Sequence, residues 1–173
     1  MTTAMLHPMH DDLTIRPATD DDWSAIFPFY ARIVAEGRTY AFPLEQTSDE
    51  ARPWWMEPGP GRTVVAVVGG RVVGSAKMGP NRPGRGAHIA TASFMVDPAC
   101  GVRGVGRALG EEMITWARSE GYAGIQFNAV VETNTRAVHL WRSLGFEVIG
   151  TVPGAFDHAE HGPVGLHVMF LRL

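Results

Sequence analysis

A single cysteine, Cys100, in 173 residues has no partner for an intramolecular disulfide, the pattern of a chain kept in a reducing compartment. The chain carries 15 basic and 18 acidic residues with no block of either sign, for a formal net charge of -3. It therefore offers no broad basic field to nucleic acid or to an anionic membrane. No apolar run approaches the length of a bilayer span, and the opening MTTAMLHPMHDDL lacks the basic and apolar regions of a secretory signal. Residues 1–12 read as a disordered lead-in, with His7 and His10 as tail residues and not metal ligands. Internal repeats and low-complexity tracts are absent too. What remains is the reading of one cytoplasmic domain over residues 13–173, long enough to bury a substantial core.

Hydropathy patterning sets out its elements. LTIRPAT alternates as a strand does, and Asp20, Asp21 and Asp22 form an acidic start to a helix over Trp23 to Glu36. Ile26, Phe27, Tyr30, Ile33 and Val34 keep to one broad face of that helix, Pro28 falls early enough to be tolerated, and Gly37 ends it. An aromatic segment from Tyr40 to Trp55 follows, its second part a short helix opened by Thr47 or Ser48. RTVVAVV and RVVGSAKM flank Gly69-Gly70, the signature of a two-residue hairpin turn, and HIATASFMV adds a third strand to an antiparallel meander. Thereafter the order becomes helix, strand, helix, strand. One amphipathic helix starts near Val105 and closes at Gly121, and a second sets Ala137, Leu140, Trp141 and Leu144 on one face. With EVIGTV and VGLHVMFLRL the fold class is α+β: a mostly antiparallel sheet of about seven strands with about four flanking helices.

Gly101, Gly104 and Gly106 stand just ahead of the helix that begins at Val105, where each glycine within a helix costs up to about 1 kcal/mol relative to alanine. Their use is to bring backbone close to an anion. The first N–H groups of a helix lack partners and point outward with the positive end of the dipole behind them, and Arg103 and Arg107 add charge at the same mouth. A pyrophosphate fits such a cradle. The loop ends Gly-Arg-Ala, so it is not a P-loop, and the antiparallel meander before it is not the opening of a dinucleotide-binding βαβ unit.

Taken together, SFMVDP, RGVGRAL, IQFNAVV and NTRAVHLWRSLGF resemble the acetyl-CoA-binding core of the GNAT family of N-acetyltransferases, in element order over residues 14–173. The resemblance implies a transferase, an acyltransferase that moves an acetyl group from acetyl-CoA to an amine. It implies that the backbone of Phe94, Met95 and Val96 pairs with the pantetheine arm. N–H groups of Val102, Arg103, Gly104, Val105, Gly106 and Arg107 would hold the pyrophosphate, and Asn134 would both cap its helix and touch the cofactor. Gly101 stands where the family usually has glutamine or arginine, a charge that Arg103 would supply.

The chemistry asks for a neutral amine, stabilisation of the carbonyl oxygen as it gains charge, and departure of a thiolate; it needs no metal. The resemblance places the oxygen near a free backbone N–H of Phe94 or Met95. Trp141 occupies the position of the family's frequent tyrosine acid and cannot give up a proton, which leaves it a wall against the pantetheine end. Solvent would protonate the thiolate, whose thiol has a pKa of about 8.5. HIATASFMV has no carboxylate where many relatives carry the base, so Glu132 is the candidate base. Asn128 and Thr91 read as acceptor-site polar groups on neighbouring strands, or as hydrogen-bond partners across the sheet, and Tyr40 reads as a substrate-side residue. DHAEH at residues 157–161 reads as a solvated loop, and Cys100 and His139 as bystanders. FNAVVETN and LWRSLGF are similar to the branch that acetylates small amino-acid amines such as azetidine-2-carboxylate, although that branch tends to asparagine at the position of Thr91. A small-molecule amine is the expected acceptor, and a homodimer is compatible with the resemblance. An acyl-CoA sensor without turnover and a peptide or protein N-acetyltransferase are the alternatives.

Overall fold

The computed structural model describes residues 12–173; His7, His10 and all of the expected lead-in except Asp12 lie outside them. Chain order is β1 (Thr14–Pro17), α1 (Trp23–Ala35), α2 (Ser48–Trp55), β2 (Arg62–Val68), β3 (Arg71–Pro80), β4 (Ile89–Val96), α3 (Val105–Ser119), β5 (Gly124–Val131), α4 (Thr135–Ser143), β6 (Glu147–His158) and β7 (Gly162–Arg172). The mixed α and β reading holds, with the seven strands in one sheet ordered β1-β2-β3-β4-β5-β7-β6. All neighbours are antiparallel except β4 and β5.

Local chemistry explains where the elements begin and turn. Gly69 and Gly70, at φ +55° and +75°, make the turn between β2 and β3 with the handedness that matches strand twist. Thr47 and Glu50 form a reciprocal capping box at the start of α2. The three acidic residues before α1 form a single 3-10 turn, and Asp22 is its anchor: the carboxylate takes two bonds from Arg16, at 2.7 and 2.8 Å, and one from the Thr19 N–H. Pro28 sits within α1 without ending it.

The sheet carries helices on both faces. Leu109, Met113, Trp116 and Trp141 from α3 and α4 pack on Val64, Ala76, Ile125 and Met169 on one side. Ile26, Phe29, Tyr30 and Trp55 from α1 and α2 pack on Val65 and Met95 on the other. The buried Trp55 indole donates to Ser75 Oγ at 2.9 Å, which donates to Val64 O at 2.8 Å, so the polar atoms at that seam are satisfied. At the far end of the sheet the turn between β6 and β7 reaches back to the end of α1. Ala159 N–H bonds Gly37 O at 2.9 Å and Glu160 pairs with Arg38. His158, in the segment read as a solvated loop, is buried; its Nδ1 accepts the N–H groups of Glu160 and His161 and holds the turn.

Candidate active site

The parallel pair β4 and β5 is joined only at Ile89–Gly124 and Ala90–Ile125; beyond it the two strands part. Asp97 N–H bonds Val73 O, and antiparallel pairing alternates, so Thr91, Ser93 and Met95 spend their backbone groups on β3. Ala92, Phe94 and Val96 turn theirs to the opening. This corrects the expectation for Met95, whose backbone belongs to the β3 ladder and whose side chain is buried in the core under α1. Phe94 and Val96 lie on the open edge.

Phe94 is not free there, however. Its N–H donates to Tyr40 Oη at 2.9 Å, and the same hydroxyl donates to Phe94 O at 2.6 Å. The Tyr40 ring is stacked on Phe42, centroids 5.1 Å apart, and meets Trp55 edge-on. Burial pushes the phenol well above the ordinary tyrosine value, so it stays a neutral donor at any physiological pH.

The opening leads to a cavity of about 520 Å³. Its walls are Phe94, Val96, Phe127 and Trp141 on one side, Thr39, Tyr40, Phe42 and Trp54 on the other, with Thr91, Ser93, Asn128 and Asn134 supplying polar atoms. Trp141 lies against Phe94 and Phe127, centroids 4.6 and 4.9 Å away. Asn134 caps α4, accepting the Ala137 N–H. Asn128 reaches the cavity, but its amide also links Gln126 and Asn81. Glu132 does not reach it. Both its N–H and its carboxylate are engaged with Gly165 across β5 and β7, just past the irregularity that shifts the register of those strands. The carboxylate that does line the cavity, alone of its kind among the described residues, is Glu36 at the end of α1, 3.6 Å from Arg32. Its only sequence signal was its place before Gly37 and the aromatic segment.

At the mouth of α3, Gly104 adopts φ +84° and a Cβ there would meet nothing within 4 Å. The first bond of the helix runs from Ala108 N–H to Gly104 O, and Val102 N–H is directed to Cys100 Sγ. Among the described residues no acceptor takes the N–H groups of Arg103 to Arg107. Five adjacent donors at a helix start, with open space before them, fit a pyrophosphate. Val102 N–H, also in the expected set, differs from these five in facing the Cys100 sulfur, a weak acceptor. Arg107 turns its guanidinium to Ser143 and Glu111, leaving Arg103 as the exposed charge at this mouth.

A parted sheet whose open edge runs from a walled cavity to an anion cradle is the layout of an acyltransferase that uses a long, phosphate-tailed acyl donor. The model of the Acetyltransferase (GNAT) family matches residues 23–146, and the chain belongs to that family of acetyl-CoA-dependent transferases. It is 27% identical over 134 residues to N-acetyltransferase aca1 of Schizosaccharomyces pombe, covering 69% of this chain and 64% of that one. The chain thus spans just under two thirds of that curated relative. It is 30% identical over 147 residues to L-amino acid N-acetyltransferase AaaT of Escherichia coli, covering 81% and 86%. A solved GCN5-related N-acetyltransferase from Kribbella flavida superposes with a TM-score of 0.91 at 60% identity, covering 94% of this chain and 99% of that one.

Proposed function

We propose that this chain transfers the acetyl group of acetyl-CoA to the amine of a small molecule, an amino acid or a close analogue. The observation that carries the reading is the cavity of about 520 Å³, roofed by Tyr40, Phe42 and Trp54 and floored by Thr91 and Asn128, which suits a compact acceptor. The name of AaaT, an L-amino acid N-acetyltransferase, agrees with it.

In this reading the Arg103–Arg107 N–H groups bind the pyrophosphate, the free edge of Ala92 and Val96 aligns the pantetheine arm, and Asn134 and Trp141 bound its reactive end. When bound, acetyl-CoA supplies the acyl group: a C–N bond forms to the amine, the C–S bond breaks, its electron pair leaves on sulfur, and the amine's proton passes to solvent. Thr91 and Asn128 orient the acceptor. Glu36 attracts its cationic form and, better placed than Glu132, takes the amine's proton on its way to solvent.

The test is thiol release from acetyl-CoA against a panel of free amino acids, proline analogues, simple amines and peptides. Turnover highest with a free amino acid or analogue supports the assignment. Turnover only with peptides, or binding of acetyl-CoA with no turnover on any amine, overturns it in favour of a peptide acetyltransferase or a sensor.

A further inference from the structure

We propose that the Tyr40 hydroxyl is a catalytic group that donates the hydrogen bond stabilising the thioester carbonyl oxygen as it gains negative charge. The proposal rests on the acetyl-transfer reading above and adds a residue to it.

Three observations lead there. The one Phe94 N–H turned to the opening between β4 and β5 is already committed to Tyr40 Oη. A carbonyl oxygen brought to this N–H finds the hydroxyl already bonded to it. Second, the ring is fixed by Phe42 on its face and Trp55 at its edge, and Trp55 is itself fully buried and bonded to Ser75, so swinging Tyr40 aside would dismantle a core contact. Turning only the O–H bond is far easier: the proton that now faces Phe94 O can face a ligand while Phe94 N–H keeps its bond to Oη. That retained bond polarises the hydroxyl and makes it a stronger donor. Third, other polar groups of the cavity are engaged elsewhere: Asn128 links Gln126 and Asn81, Asn134 caps α4, and Met95 is turned into the core.

Tyr40 transfers no proton in this scheme. Its O–H bond stays intact while the carbonyl electron pair moves onto oxygen and returns as the C–S bond breaks, and its raised pKa keeps the hydrogen in place. It acts as a preorganised dipole.

The experiment uses the whole chain with acetyl-CoA labelled with carbon-13 at the thioester carbonyl and no acceptor present. Infrared difference spectra are recorded for wild type, Tyr40→Phe and a chain carrying 3-fluorotyrosine at position 40, alongside acetyl-CoA affinity and kcat. The expected result is a carbonyl stretch lowered on binding to wild type, lowered further by the more acidic fluorotyrosine, and returned toward the free value in Tyr40→Phe. The kcat of Tyr40→Phe should fall about a hundredfold with acetyl-CoA affinity within about threefold of wild type. The fluorotyrosine chain keeps ring and hydroxyl, so the test stands even if Tyr40→Phe folds poorly. A wild type that binds and turns over acetyl-CoA with a stretch indifferent to residue 40 overturns this inference alone. A wild type that binds no acetyl-CoA overturns the proposed function with it.

Discussion

At the scale of single residues, the site is defined as much by the side chains that cannot act as by those that can. Trp141, which the family resemblance read from the sequence sets at the place of a tyrosine acid, packs on Phe94 and Phe127 as a wall. We expect Trp141→Phe to keep kcat within about fivefold of wild type at saturating acetyl-CoA, against the hundredfold or more that a proton donor contributes. A hundredfold loss with cofactor affinity unchanged would give the indole N–H a part in stabilising charge. Gly104 acts through its backbone. Valine there is forced toward a left-handed conformation at a cost of about 1–2 kcal/mol and fills the space in front of the five free N–H groups. Calorimetry should show acetyl-CoA affinity lowered at least about tenfold by Gly104→Val, with the far-ultraviolet circular dichroism unaltered; an affinity equal to wild type would move the pyrophosphate elsewhere. Residue identity made Gly104, Asn134 and Trp141 legible in the sequence, because each sits in a spaced motif. Glu36 and the Tyr40–Phe94 contact were not legible, since the partners are 54 residues apart in the latter and the former carries no motif at all.

Among the elements, boundaries followed local chemistry closely. The capping box at Thr47, the Gly69-Gly70 turn and the stops at Gly121 and Gly145 are short-range signals, and α2, the β2–β3 hairpin, α3 and α4 begin or end where those signals stand. Strand pairing was harder to foresee. Nothing local announces that β4 and β5 part after two residue pairs, or that the Glu132 carboxylate is drawn to Gly165 by the shifted register of β5 and β7. The joint between β1 and α1 gives a measurable electrostatic contribution. The paired Arg16 guanidinium, then the Thr19 hydrogen bonds, hold the Asp22 carboxyl far below the usual carboxylate range despite its burial. A group whose folded pKa is depressed stabilises the fold above its unfolded pKa, about 3.9 for aspartate, and loses that contribution as pH falls toward the folded value. Asp22→Asn should therefore be less stable than wild type by about 1–2 kcal/mol at pH 7. In urea titrations the gap should persist at pH 5 and narrow below about pH 4. A gap that does not change with pH would assign the effect to packing.

Over the whole molecule, the β6–β7 turn and the end of α1 meet beside the aromatic segment that roofs the cavity. The β6–β7 turn grips Gly37 and Arg38, three and two residues before Tyr40, so the position of the aromatic roof depends on a hairpin more than a hundred residues away. The Arg38–Glu160 pair is half exposed and contributes at most about 1 kcal/mol; the backbone bond from Ala159 is the firmer tie. Ala159→Pro deletes that donor. It should raise the acceptor KM severalfold while acetyl-CoA affinity stays within about twofold, because the cradle at α3 lies on the other side of the sheet. Unchanged acceptor kinetics in a folded variant would uncouple the turn from the site. The sheet order β5-β7-β6 has a further consequence for how the protein comes into being. A ribosome delivers residues in order at about 5–20 per second, so the cradle, β5 and α4 emerge before the strand that must slot in beside β5. Until β7 arrives, the nascent chain bears a bare strand edge, open to pairing with any neighbouring polypeptide. The last of the seven strands to be made thus both shields the growing chain from aggregation and, through its turn with β6, seats Tyr40.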